Sequence, residues 1–125
     1  MWASYLQVAI GGAIGSCLRF GVGRVLMPVQ WAGFPLGVVT VNVVGSFLIG
    51  VVMVISFQKG LQPFNPLVMS GVLGGFTTFS AFSLESFTLW ERGEFGLAIA
   101  YVATTLVLSL GGIVLGVGLA RALLP

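Results

Sequence analysis

Gly71-Val72-Leu73-Gly74-Gly75-Phe76-Thr77-Thr78-Phe79-Ser80-Ala81-Phe82-Ser83 makes a poor continuous helix, yet it sits where only a helix should stand. It lies inside an apolar run from Pro66 to Leu89, and at ~1.5 Å per residue a run of roughly 20 residues crosses a ~30 Å hydrocarbon layer. The paired glycines and the two threonines weaken helical propensity. A break at that depth frees backbone carbonyls and amides where no water satisfies them, so it must line a cavity or hold an ion. Unwound carbonyls suit a small cation such as sodium.

Working outward, three further runs meet the spanning length: Ser4 to Met27, Phe34 to Phe57 and Phe95 to Leu119. The segments between them carry breakers: Pro28 to Gly33, Gln58-Lys59-Gly60-Leu61-Gln62-Pro63, and Glu91-Arg92-Gly93-Glu94. Trp2, Trp31 and Trp90 fall near run ends, where an indole sits well at headgroup level. The expected fold is an all-α, multi-pass membrane protein, four transmembrane helices in one domain over residues 1–125 with a break in the third. Composition agrees, since 58% of residues are hydrophobic and 6% charged, a balance that suits a surface facing lipid rather than water. Met1-Trp2-Ala3-Ser4 lacks a basic leader, which reads against a signal peptide. The lone Cys17 excludes an intramolecular disulfide, and a net charge of +2 gives no reason to expect a nucleic-acid partner.

Counting Lys and Arg near the span ends gives no orientation: Lys59 and Arg121 stand on one side, Arg24 and Arg92 on the other. Without a bias, copies can insert either way up and pair as an antiparallel dimer. Four helices also enclose little interior, so a pathway would form between subunits. Gly11, Gly12, Gly15, Gly45, Gly50, Gly111, Gly112, Gly116 and Gly118 are expected to let helices approach closely.

Polar residues inside apolar spans are expensive and therefore informative. Arg19 is either a snorkelling anchor or a charge that draws anions inward. Asn42 offers two amide donors, to a ligand or to an interhelical clasp. Phe79 and Phe82, three apart on one helical face beside the hydroxyls of Ser80 and Ser83, are lipid-facing or core rings, or rings whose electropositive edges meet a small anion. Tyr101, Thr105 and Ser109 recur every fourth residue, as a ladder replacing water stepwise or as a polar seam between helices. No histidine, phosphate loop or cysteine pair suggests an enzyme, and Glu85, Glu91 and Glu94 lie at or near span ends.

The segments Gly11 to Phe20, Thr40 to Gly50 and Gly74 to Phe82, in this order and spacing, resemble the Fluc fluoride channels, also called CrcB proteins. The resemblance covers essentially the whole chain. It implies a dual-topology antiparallel homodimer in the cell (inner) membrane, with two pores carrying fluoride passively out of the cytoplasm and so relieving its toxicity. It also implies an aromatic box of Phe79 and Phe82, a nearby amide donor in Asn42, a hydroxyl track of Tyr101, Thr105 and Ser109, and further donors in Ser80 and Ser83. Arg19 is expected near the pore vestibule, with Glu85 vestibule-lining or structural. A structural sodium ion at the dimer centre would be held by the carbonyls of Gly74 and Thr77 from both subunits. A small proton-coupled multidrug exporter is the competing reading, but its first span would need an acid where this one carries Arg19. A non-conducting assembly subunit is a third reading, in which the buried polar groups only clasp helices.

Overall fold

The computed structural model describes residues 1–26 and 34–124, and its regular elements are helical. Met27, the Pro28 to Gly33 segment and Trp31 lie outside the described residues. The chain runs through α1 (Trp2–Leu26), α2 (Leu36–Lys59), a 3-10 turn (Gln62–Phe64), a π-wound stretch (Pro66–Leu73), α3 (Gly74–Phe76), α4 (Ser80–Glu91) and α5 (Phe95–Leu123). Among the described residues four stretches are long and apolar enough to cross a membrane: Trp2–Leu26, Leu36–Lys59, Gln62–Glu91 and Phe95–Leu123.

The ends follow local chemistry. The second helix starts at Leu36 and not at Phe34, because Pro35 stays extended (φ −74°, ψ 120°), its ring and missing amide suiting it to a helix boundary. Gly60 (φ 68°) and Gly93 (φ 78°) occupy the left-handed region that ends a helix. Beyond Gly93, the Glu94 amide reaches back to the Leu89 carbonyl at 3.0 Å, closing α4. The fourth helix runs on to Leu123, past the expected Leu119.

Two close pairings organise the bundle: α1 lies along the π-wound stretch and α3, and α2 lies along α5. Glycine makes both possible. A Cβ on Gly11 would stand 2.8 Å from the Gly71 Cα, one on Gly15 would strike the Val72 carbonyl, and one on Gly75 would stand 2.8 Å from the Gly12 carbonyl. Across the other pairing, a Cβ on Gly50 would stand 2.6 Å from the Ile113 carbonyl, and one on Gly116 would strike that of Phe47. Close backbone approach of this kind replaces the hydrophobic effect as the association force in lipid. The expectation fails at Gly12, Gly111 and Gly118, where a side chain would meet open space among the described residues. A small apolar core of Val39, Phe82, Leu89, Ala98 and Tyr101 joins α2, α4 and α5. Leu110, Val114 and Leu115 of α5 stay exposed, as a lipid-facing surface requires.

Candidate functional site

The site grows from the residues between α3 and α4. Thr77 is extended (φ −89°, ψ 159°), and helical structure resumes at Ser80. In a continuous helix the Thr78 amide would bond the Gly74 carbonyl. Here it donates instead to Asn42 Oδ1 at 2.8 Å, while Asn42 Nδ2 donates to the Thr78 carbonyl at 2.9 Å. The same substitution recurs around it. Ala81, which would close on Thr77, donates its amide to Thr78 Oγ1 at 3.2 Å, and the Gly75 carbonyl accepts from Arg19 Nε at 3.0 Å. Side chains from α1 and α2 therefore stand in for helical hydrogen bonds, which makes an irregular backbone tolerable at this depth.

Beside this segment opens a groove of about 460 Å³, with Asn42 and Ser46 of α2 on one wall, Thr105 and Ser109 of α5 on another, and Thr77, Thr78, Phe79 and Phe82 across them. Phe82 is 7% exposed and Phe79 74%, their rings edge to face at 5.5 Å and 61°. One ring is thus held in the core while the other stands out from the chain's surface. Thr105 Oγ1 and Ser109 Oγ are buried without a hydrogen-bond partner among the described residues, an arrangement that is costly unless a ligand or water completes it. Asn42 gives one amide hydrogen to Thr78 and keeps the other. The groove therefore joins unsatisfied hydroxyls, a spare amide donor and ring edges in an apolar setting. That is a set of donors without a cation, suited to a small anion.

Not every residue singled out from the sequence meets here. Gly74 also lines the groove, but Tyr101 does not: it is fully buried against Phe82, and its hydroxyl donates to Glu85. The ladder is therefore divided, its first rung engaged by Glu85. Ser83 donates to the Phe79 carbonyl at 3.0 Å, and Ser80 pairs with the Thr78 hydroxyl at 3.3 Å. Arg19 lies in a second cavity of about 360 Å³ that also touches Arg24, Thr78 and Glu85. Among the described residues no group of three or more His, Cys, Asp or Glu is placed to hold a metal. Sequence reasoning assigned nothing to Ser46 or Thr78. The four-residue spacing of Asn42 and Ser46 is a signal that could have found the first.

A family model described as CrcB-like protein, Camphor Resistance (CrcB), matches residues 6–117. A protein of Ruegeria sp. (strain TM1040) named fluoride-specific ion channel FluC is 50% identical over 125 residues, covering 99% of each chain. Proteins of the same name from Cereibacter sphaeroides (strain ATCC 17029 / ATH 2.4.9) and Paracoccus denitrificans (strain Pd 1222) are 50% and 45% identical, covering 97% and 96% of each chain.

Proposed function

The chain belongs to the CrcB-like family, and from that premise we propose that it is a channel that carries fluoride passively across the membrane, not an enzyme. The carrying observation is the convergence of Asn42, Phe79, Phe82, Thr105 and Ser109 on one groove. Fluoride is small and strongly hydrated, so leaving water requires several donors at once. Two unpartnered hydroxyls, a free amide hydrogen and the positive edges of two rings supply them without a fixed positive charge that would trap the ion. Arg19 and Arg24 beside the second cavity favour anions at its mouth. In a cell whose surroundings are weakly acidic, neutral hydrogen fluoride enters and dissociates, so a passive anion path in the inner membrane lets fluoride leave and relieves toxicity.

The finer reading is an antiparallel dimer of single-domain chains inserted in both orientations, with two pores and a broken third span. The balanced charges at the span ends and the groove's openness to the subunit surface favour it, since a second copy would close the wall. The amides that would have bonded the Gly74 and Thr77 carbonyls go elsewhere, so two copies facing one another offer oxygens fit for a structural sodium ion. That ion, when bound, supplies positive charge that holds the two irregular segments together. An exporter coupled to protons finds no support: Glu85, near the end of the third span, is engaged by Tyr101, and the relatives carry the name of a channel.

The test is anion efflux from liposomes containing the purified protein, with matched fluoride and chloride loads and with Phe79→Ile and Phe82→Ile alongside. Release of fluoride but not chloride, abolished in either variant while the protein stays dimeric, is the expected result. Correctly folded dimers silent toward fluoride would overturn the reading, and loss of dimer in step with loss of flux would favour an assembly subunit.

A further inference from the structure

Among the described residues several hydroxyls make no hydrogen bond, Ser16, Thr40, Ser46 and Thr104 among them, and of these four Ser46 alone lines the groove. Thr77, Ser83, Ser86 and Thr88 each donate to the carbonyl four residues back, and Ser56 to the carbonyl three back, the usual way a membrane helix hides a hydroxyl. Ser46 makes no such bond among the described residues, and neither do Thr105 and Ser109, whose buried hydroxyl oxygens have no partner among those residues. All three face the same groove. Ser46 lies one turn along α2 from Asn42, about 6 Å in rise. Glycine brings it to α5: a Cβ on Gly112 would stand 3.8 Å from the Ser46 Cβ and 3.2 Å from the Val43 carbonyl. Gly112 follows Ser109 by three residues and so shares its helical face. The close approach of α2 and α5 thus sets the Ser46 hydroxyl beside the turn that carries Ser109.

We infer that Ser46 is a pore-lining, anion-binding residue, giving the path a second wall of donors. Resting on the fluoride reading above, it predicts that an ion moving along the groove passes from the Asn42 amide to a position held from α2 by Ser46 and from α5 by Thr105 and Ser109. A single row of hydroxyls on α5 would leave half of the ion's shell facing the apolar side chains of Ile49, Leu106 and Leu110. A strongly hydrated anion gives up water only when donors approach from more than one direction. Ser46 supplies that opposing direction, and its neutrality lets the ion leave again.

The experiment compares wild-type protein, Ser46→Ala, Ser109→Ala and the double variant by fluoride efflux from liposomes, together with dimer size and thermal unfolding of each. Loss of one hydrogen bond to an anion is expected to slow efflux about ten- to a hundredfold in Ser46→Ala. Dimer size and melting temperature should stay unchanged. The double variant should lose less than the product of the two single losses, because both hydroxyls serve one ion. A conducting wild type with undiminished Ser46→Ala overturns the assignment and leaves the fluoride reading standing. A variant slowed only in step with its melting temperature or dimer overturns it too, since Ser46 would then be packing. A silent wild type overturns the fluoride reading and this inference with it.

Discussion

Asn42 shows how one residue can serve both chemistries open to it. Its amide holds the backbone amide and carbonyl of Thr78, and it retains one hydrogen for the groove. Asn42→Ala would leave two backbone groups unpaired in a low-dielectric setting, at about 1–3 kcal/mol each. A marked drop in melting temperature in detergent is therefore expected alongside loss of fluoride flux; melting at the wild-type temperature would show that the clasp carries no stability. Tyr101→Phe should likewise destabilise the protein, because the Glu85 carboxyl loses its donor inside the fold; unfolding by denaturant measures it. The chemistry at this scale was largely legible, for an amide, two phenylalanines and a row of hydroxyls in apolar spans have few uses. The division of that row was not legible. Tyr101 meets Glu85 sixteen residues away, and no local pattern announces a contact between separate helices.

At the scale of elements, composition located glycines without saying which way each faces. Gly15 and Gly118 look alike in sequence, yet a Cβ on Gly15 would strike the Val72 carbonyl while one on Gly118 meets nothing among the described residues. Gly15→Ala should therefore destabilise the protein by about 1–3 kcal/mol through overpacking, despite the better helix propensity of alanine. Gly118→Ala should leave stability unchanged or slightly raised. Equilibrium unfolding of both in mixed detergent checks the contrast, and equal effects would show that the helices can part without cost. The end of α4 was legible because Gly93 acts through its own backbone, whereas the start of α2 was placed at Phe34 and Pro35, inside that expected run, moves it to Leu36. The π winding over Pro66–Leu73 was not legible, being longer than the single-turn bulges usually found. Nothing in its composition marks it.

For the whole molecule, the chain is a thin bundle with an open groove and a ring, Phe79, standing out from its surface. If copies insert both ways up, Lys59→Cys on a Cys17→Ser background should be labelled by an impermeant maleimide to about half from outside intact cells, with the rest reacting only after lysis; full labelling from one side would refute dual topology. If sodium bridges two copies, replacing it by a large organic cation should lower dimer stability in detergent, and salt-independent dimers would argue against the ion. The sequence by itself determined the solvent, the number of spans, their approximate ends and the chemical classes able to meet an anion, because hydropathy, breaker residues and donor inventory act residue by residue. Only the tertiary structure decided which donors share a groove, that Arg19 caps the Gly75 carbonyl, that Tyr101 is engaged, and that Ser46 stands beside Ser109's turn of α5. Those outcomes depend on how two helices rotate and approach one another, and that is set by backbone contacts at a few glycines across chain separations no local pattern spans.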